Sequence, residues 1–149
     1  MVGHREADER LLPRLELEIE RLIETKNVRY FYVGGYGGFD RIAATAIKRA
    51  KQNHPYITLM FVLPYHPAER SFLTPSGFDG TYHPVGLEKT PRKYAIVRTN
   101  QIMVDTCDWL VCYVCHGASN SRNLLEYAKR KEAVGQIQIV NIEEYNLES

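Results

Sequence analysis

A chain of 149 residues, 44% hydrophobic and 25% charged, is long enough to bury one core and short for two domains. The 19 Lys+Arg against 18 Asp+Glu leave a net charge of +1, which argues against global attraction to nucleic acid or to an acidic membrane. Three cysteines do not make a disulfide scaffold. No stretch is apolar for long enough to span a bilayer, and Met1-Val2-Gly3-His4-Arg5 lacks the apolar centre of a secretory signal. The expectation is one soluble, reduced, cytoplasmic domain over 1–149.

From Asp8 to Thr25 the residues Leu11, Leu12, Leu15, Ile19, Leu22 and Ile23 recur at helical spacing, with Glu and Arg on the other face. Pro13 predicts that this helix starts close to it. Only Met1 to Gly3 precede it as strand, so the first strand must be very short. Val28–Val33 is β-branched and aromatic and reads as a strand. Asp40 to Gln52 reads as a helix with the stripe Ile42, Ala43, Ala46, Ile47 and Ala50. Ile57–Leu63 is a continuous apolar run, the pattern of a strand covered on both faces. Residues 65–91, rich in Pro, Gly and His, show no clear element and read as a long loop able to act as a lid. A helix is expected from Arg92 or Lys93 to Thr106, with Ile96, Asn100, Met103 and Val104 along one side. Trp109–Cys115 reads as a buried strand, 116–121 as a loop, Asn123–Lys131 as a helix and Gln136–Ile142 as the last strand. The alternation predicts an α/β fold with a mainly parallel sheet and helices on both faces.

Two loops carry the chemistry. Gly34-Gly35-Tyr36-Gly37-Gly38 stands between a strand and a helix, the layout of an anion site. Glycine permits positive φ and lets backbone approach a ligand closely, and a helix N-terminus offers N–H groups and a partial positive charge. The spacing is neither G-x-G-x-x-G nor a Walker loop, so no cofactor is implied. Asp40 reads either as a helix cap or as an acceptor for a ribose hydroxyl. The second loop, His116 to Ser121 with Ser119, Asn120 and Ser121, runs into Asn123 and Glu126 at the carboxyl end of another strand. In a parallel sheet both loops reach the edge where ligands bind. Arg5 follows the first strand and suits a phosphate. Tyr36, Phe39, Tyr65 and Tyr82 are candidates to stack on a base, and His66 and His83 lie in the long loop, His83 as a surface residue. Cys112 and Cys115 are three apart in a strand and point to opposite faces, so no metal site is read there.

Gly3-His4-Arg5, the segment Gly34 to Asp40, Leu63-Pro64-Tyr65-His66, Arg98-Thr99-Asn100, Met103-Val104-Asp105 and Asp108-Trp109-Leu110-Val111 together resemble the small standalone proteins of the SLOG superfamily. That superfamily includes YpsA-like proteins, Lonely Guy nucleotide hydrolases and DprA-type DNA-binding proteins. The resemblance runs over residues 3–142 and implies a Rossmann-like three-layer sandwich that binds a nucleotide or an NAD- or ADP-ribose-derived ligand. It also implies a homo-oligomer, dimer or tetramer, and a place in antiviral defence or anti-defence, in a host cytoplasm if phage-encoded. The implied ligand-binding set is Arg5, Gly34–Asp40, Tyr65, His66, Arg98, Asn100, Ser119, Asn120, Ser121, Asn123 and Glu126.

Sliding the Lonely Guy motif P-G-G-x-G-T-x-x-E onto the second loop puts its Thr at Asn123 and its Glu at Glu126, with Arg98 matching the upstream Arg. The motif's glycines fall on Ser119, Asn120 and Arg122. That departure favours a binder, a sensor or a ligand-sequestering protein, over an N-glycosidase using Glu126 and Arg98. The neutral charge makes single-stranded DNA the weakest of the three partners.

Overall fold

The computed structural model describes residues 1–4, 7–35, 37–64, 74–87, 89–114 and 120–142, Asn120 by its backbone alone. The chain divides into two compact units: Met1, Gly3–Val62 and Leu73–Tyr82 form one; Val2, Leu63–Phe72 and His83–Ser149 form the other. The fold is α/β, with helices and parallel strands alternating in the Rossmann-like manner that the sequence predicts.

In the first unit a 3-10 turn at Glu9–Leu11 leads into α1 (Leu12–Lys26). Pro13 sits in the first turn of α1, where its missing N–H has no intrahelical partner to lose. Asn27 ends the helix in the left-handed conformation (φ 59°, ψ 31°), and its N–H and that of Val28 return to the Leu22 carbonyl. There follow β2 (Tyr30–Val33), α2 (Gly38–Asn53), β3 (Thr58–Val62) and β4 (Gly80–Tyr82). The ladder is β2-β3-β4, both pairs parallel, with Val33 opposite Phe61 and Val62 opposite Tyr82. α1 packs on α2, and Leu15, Ile19, Leu22, Phe39, Ile42 and Ile47 are almost wholly buried. Each such side chain contributes about 1.5–3 kcal/mol of burial. The small residues Ala43, Ala46 and Ala50 are buried on the same stripe of α2.

Three expectations need correction here. α2 starts at Gly38, not Asp40. The 65–91 stretch holds a strand, β4, which three residues are too few to signal by periodicity. Glu18 is not on the exposed face of α1; it is buried and paired with Arg21.

The second unit has a 3-10 turn at Arg92–Tyr94, then α3 (Ala95–Thr106), β5 (Trp109–Tyr113), α4 (Asn120–Glu132) and β6 (Gln138–Asn141). β5 and β6 pair in parallel, with Trp109 opposite Gln138. Val2, from the two-residue strand β1 (Val2–Gly3), lies beside β5 in the order β1-β5-β6. The brevity of β1 matches the expectation. Asn141 extends the β5–β6 ladder with its side chain: Oδ1 accepts the Val114 N–H (3.1 Å) and Nδ2 donates to the Val114 carbonyl (3.0 Å). The core joins Val104 of α3, Leu110 and Cys112 of β5, Leu124, Leu125 and Ala128 of α4, and Ile137. Gly135 (φ 78°) takes the left-handed turn that closes α4, where a side chain would be strained. The helix begins at Asn120, so residues 120 and 121 are not loop. Among the described residues, no helix is long and apolar enough to cross a membrane.

Candidate functional site

The glycine segment sits between two firmly held elements. Val33, the last residue of β2, is wholly buried, and so is Phe39 in the first turn of α2. Gly34 is half-buried and Gly35 is exposed. A Cβ on Gly35 would lie 2.7 Å from Cζ of Phe61, so the Phe61 ring closes against that glycine. Gly37 caps α2 with extended backbone (φ −179°, ψ −165°) and no side-chain cap bond. Among the described residues, none of these glycines has a positive φ. At Gly35 the use of glycine is therefore close approach, not left-handed conformation.

α2 is sixteen residues long, so its N-terminus carries the partial positive charge of a full macrodipole. One first-turn donor is already engaged: the Phe39 N–H donates to the His4 carbonyl at 3.3 Å. Arg41 N–H closes the turn onto the Gly37 carbonyl at 3.2 Å. Asp40 lies within this first turn, past the cap position held by Gly37, and is half-buried. The Phe39 ring has no exposed surface to stack on a base; it fills the space that a Cβ at Gly3 would take. This residue offers the site its backbone only.

Of the other aromatics, Tyr82 packs edge-on against Tyr32, ring centroids 5.4 Å apart. Tyr32 is a half-buried polar aromatic of β2 that the sequence does not single out, because alternation makes it one more strand residue. Asp79 is not signalled by any motif either. Its carboxylate accepts the Leu59 N–H at 2.7 Å and Lys51 Nζ at 2.5 Å, and it joins the end of α2 to β3 and β4. These two bonds, the Leu59 N–H first, hold the Asp79 carboxyl below the ordinary carboxylate range.

In the second unit Arg98 is exposed on α3, and its Nη1 donates to Gln101 Oε1 at 3.2 Å. Between Arg98 and half-buried Asn100, Thr99 is wholly buried, and its Oγ1 has no hydrogen-bond partner among the described residues. Ser121 is half-buried and Asn123 exposed on α4. Glu126 is exposed, with Arg122 Nη2 at 3.4 Å and Lys129 Nζ at 3.8 Å, both on its own helix. Arg98 and Glu126 thus each pair with neighbours on their own helices. Asp105, in a segment that carries the resemblance, works mechanically. It accepts the Tyr127 hydroxyl (2.8 Å) and faces Lys131 (3.5 Å), tying α3 to α4.

His83 is half-buried, and its Nδ1 donates to the Leu63 carbonyl at 3.1 Å. Cys112 is a core residue, as expected. Burial pushes the half-buried Cys107 thiol up, away from thiolate chemistry. Arg5, Tyr36, Tyr65, His66, Cys115, His116 and Ser119 lie outside the described residues.

No protein-family model matches this chain, and no curated protein matches it.

Proposed function

We propose that the chain binds a small nucleotide, of the NAD- or ADP-ribose-derived kind, at the carboxyl end of β2, as a sensor or ligand-sequestering protein of SLOG type. The observation that carries this reading is the glycine segment itself. A parallel strand feeds a sixteen-residue helix through Gly34, Gly35, Gly37 and Gly38, and that helix starts with no side-chain cap. Backbone at such a start suits a phosphate, since N–H groups at a helix start and the helix dipole favour an anion. Asp40 stands in the first turn of α2, where a carboxylate can accept from a ribose hydroxyl.

The test is to incubate the chain with nucleoside mono- and diphosphates and cyclic ADP-ribose isomers, then recover the ligand after denaturing the protein. Intact ligand is the expected result. Release of free base and ribose phosphate, lost in Glu126→Gln, would overturn binding in favour of N-glycoside hydrolysis. Gly37→Val places a branched side chain at the cap and should weaken binding by about tenfold or more, ~1.4 kcal/mol. Unchanged affinity in a folded Gly37→Val protein would move the ligand elsewhere. Failure of every nucleotide to bind removes the proposal.

A further inference from the structure

The C-terminal ends of α1 and α2 come together at a group of donors that the nucleotide reading does not use. Glu20 and Glu24 lie one turn apart on α1, and His54 is the residue that ends α2. One ligand atom from each of the three falls within 4.8 Å of the other two. His54 Nε2 is 2.8 Å from Glu20 Oε2. Donors around an ion bonded at about 2.0–2.2 Å stand roughly 3–3.5 Å apart, so small side-chain shifts convert this cluster into a coordination shell.

The imidazole is held in place as a metal ligand needs to be. Its backbone N–H donates to the Ala50 carbonyl at 2.8 Å. Its side chain is 13% exposed, and Nδ1 lies 2.9 Å from the Tyr56 hydroxyl. At these distances Nε2–H donates to the Glu20 carboxylate and Nδ1 accepts from the Tyr56 hydroxyl; an ion on Nε2 would take the place of that proton, with Nδ1–H then donating to the Tyr56 oxygen. A partner on the second ring nitrogen is the usual means of fixing tautomer and orientation in metal-bound histidine. Tyr56 is itself braced by the Arg29 guanidinium, 4.5 Å from its ring centroid.

Two carboxylates concentrate negative charge at this corner. Two carboxylates at i and i+4 repel each other. Glu24 lies in the last turn of α1, and His54 lies at the C-terminus of α2, where the helix carbonyls add negative potential. Of the neighbouring cations, Arg49 pairs with Glu16 at 2.8 Å and Arg21 with Glu18, while Arg29 donates to the Ile23 and Val28 carbonyls and lies over the Tyr56 ring. Among the described residues, neither Glu20 nor Glu24 is ion-paired with a Lys or Arg. A groove of about 420 Å³, lined by Glu16, Leu17, Glu20, Arg49 and Asn53, meets the cluster at Glu20.

We propose that Glu20, Glu24 and His54 bind a divalent first-row transition ion that joins the ends of α1 and α2. Two carboxylates and one imidazole suit ions such as Zn²⁺, with water in the remaining positions. Binding to the folded chain stabilises it by mass action.

The experiment uses the full chain with Zn²⁺, followed by calorimetric titration and thermal unfolding, and with Co²⁺ followed by absorption. Expected are one equivalent of Zn²⁺ bound and a raised Tm. Affinity should fall by about tenfold or more in Glu24→Gln and be lost in His54→Gln. Glu24 is exposed, so its variant keeps the fold and the test stays decisive if His54→Gln is unstable. Co²⁺ should give weak ligand-field bands without the near-ultraviolet charge transfer of a thiolate. Absence of Zn²⁺ binding, equal affinity in wild type and Glu24→Gln, or a thiolate band would each overturn the site.

Discussion

The glycine segment after β2 and the start of α4 look alike as sequence: small residues leading into a helix. In the structure they differ in what holds them. The first is anchored by wholly buried Val33 and Phe39, by the Phe39 N–H on the His4 carbonyl, and by the Phe61 ring against Gly35. The described start of α4 is held from within its own unit by Leu124 and Leu125 in the core, while Asn123 and Glu126 face solvent. Glu126 is neutralised by Arg122 and Lys129. A binding cradle needs fixed backbone, and a carboxylate on a solvated helix face is easily satisfied by its neighbours. The contrast is between a segment with fixed backbone, on which the proposed site rests, and a solvated helix face.

The contrast is most strongly tested at Phe39. Removing its ring leaves a cavity beneath the glycine segment, and Phe39→Ala should cost about 3–5 kcal/mol in chemical denaturation. A loss under about 1 kcal/mol would show that the segment is not anchored as described.

Asp79 gives an intermediate effect with a pH signature. Asp79→Ala strands the Leu59 N–H and should cost about 1–3 kcal/mol at neutral pH. The folded chain holds this carboxyl below the ordinary range, so the unfolded chain takes up the proton first as pH falls. The contribution is complete above the unfolded-state value, about 3.9, and is lost as pH drops through the lower folded value. The stability gap between wild type and Asp79→Asn should therefore be flat above about pH 5 and shrink below it. A gap independent of pH down to acid unfolding would contradict the bonding seen here.

The smallest effect is expected at Glu126. Glu126→Gln should change stability by about 0–1 kcal/mol, and less still in high salt, because its partners are exposed. A larger loss would mean that this carboxylate is engaged beyond its own helix surface, and would reopen the comparison.

Much of the fold is legible in the chain. The leucine and isoleucine spacing of α1 with Pro13 at its start, the alanine stripe of α2, and the apolar runs of β3 and β5 report burial directly, because periodicity follows which face meets the core. β4 is not legible, since Gly80–Tyr82 is held as strand by pairing with β3, a contact remote in sequence. Nor is buried Glu18, whose partner Arg21 removes the penalty that composition alone would assign.

The candidate site divides in the same way. Strand, glycines and helix are local, so a turn from β2 into a helix start is legible in the chain; that Gly35 serves the approach of the Phe61 ring and not a positive φ is not. Which ring fills the space under Gly3, whether Arg98 and Glu126 pair with each other or with neighbours, and that Glu20, Glu24 and His54 share one corner depend on packing between distant segments. Local pattern records which face of an element is buried; only the tertiary structure decides what that face is buried against.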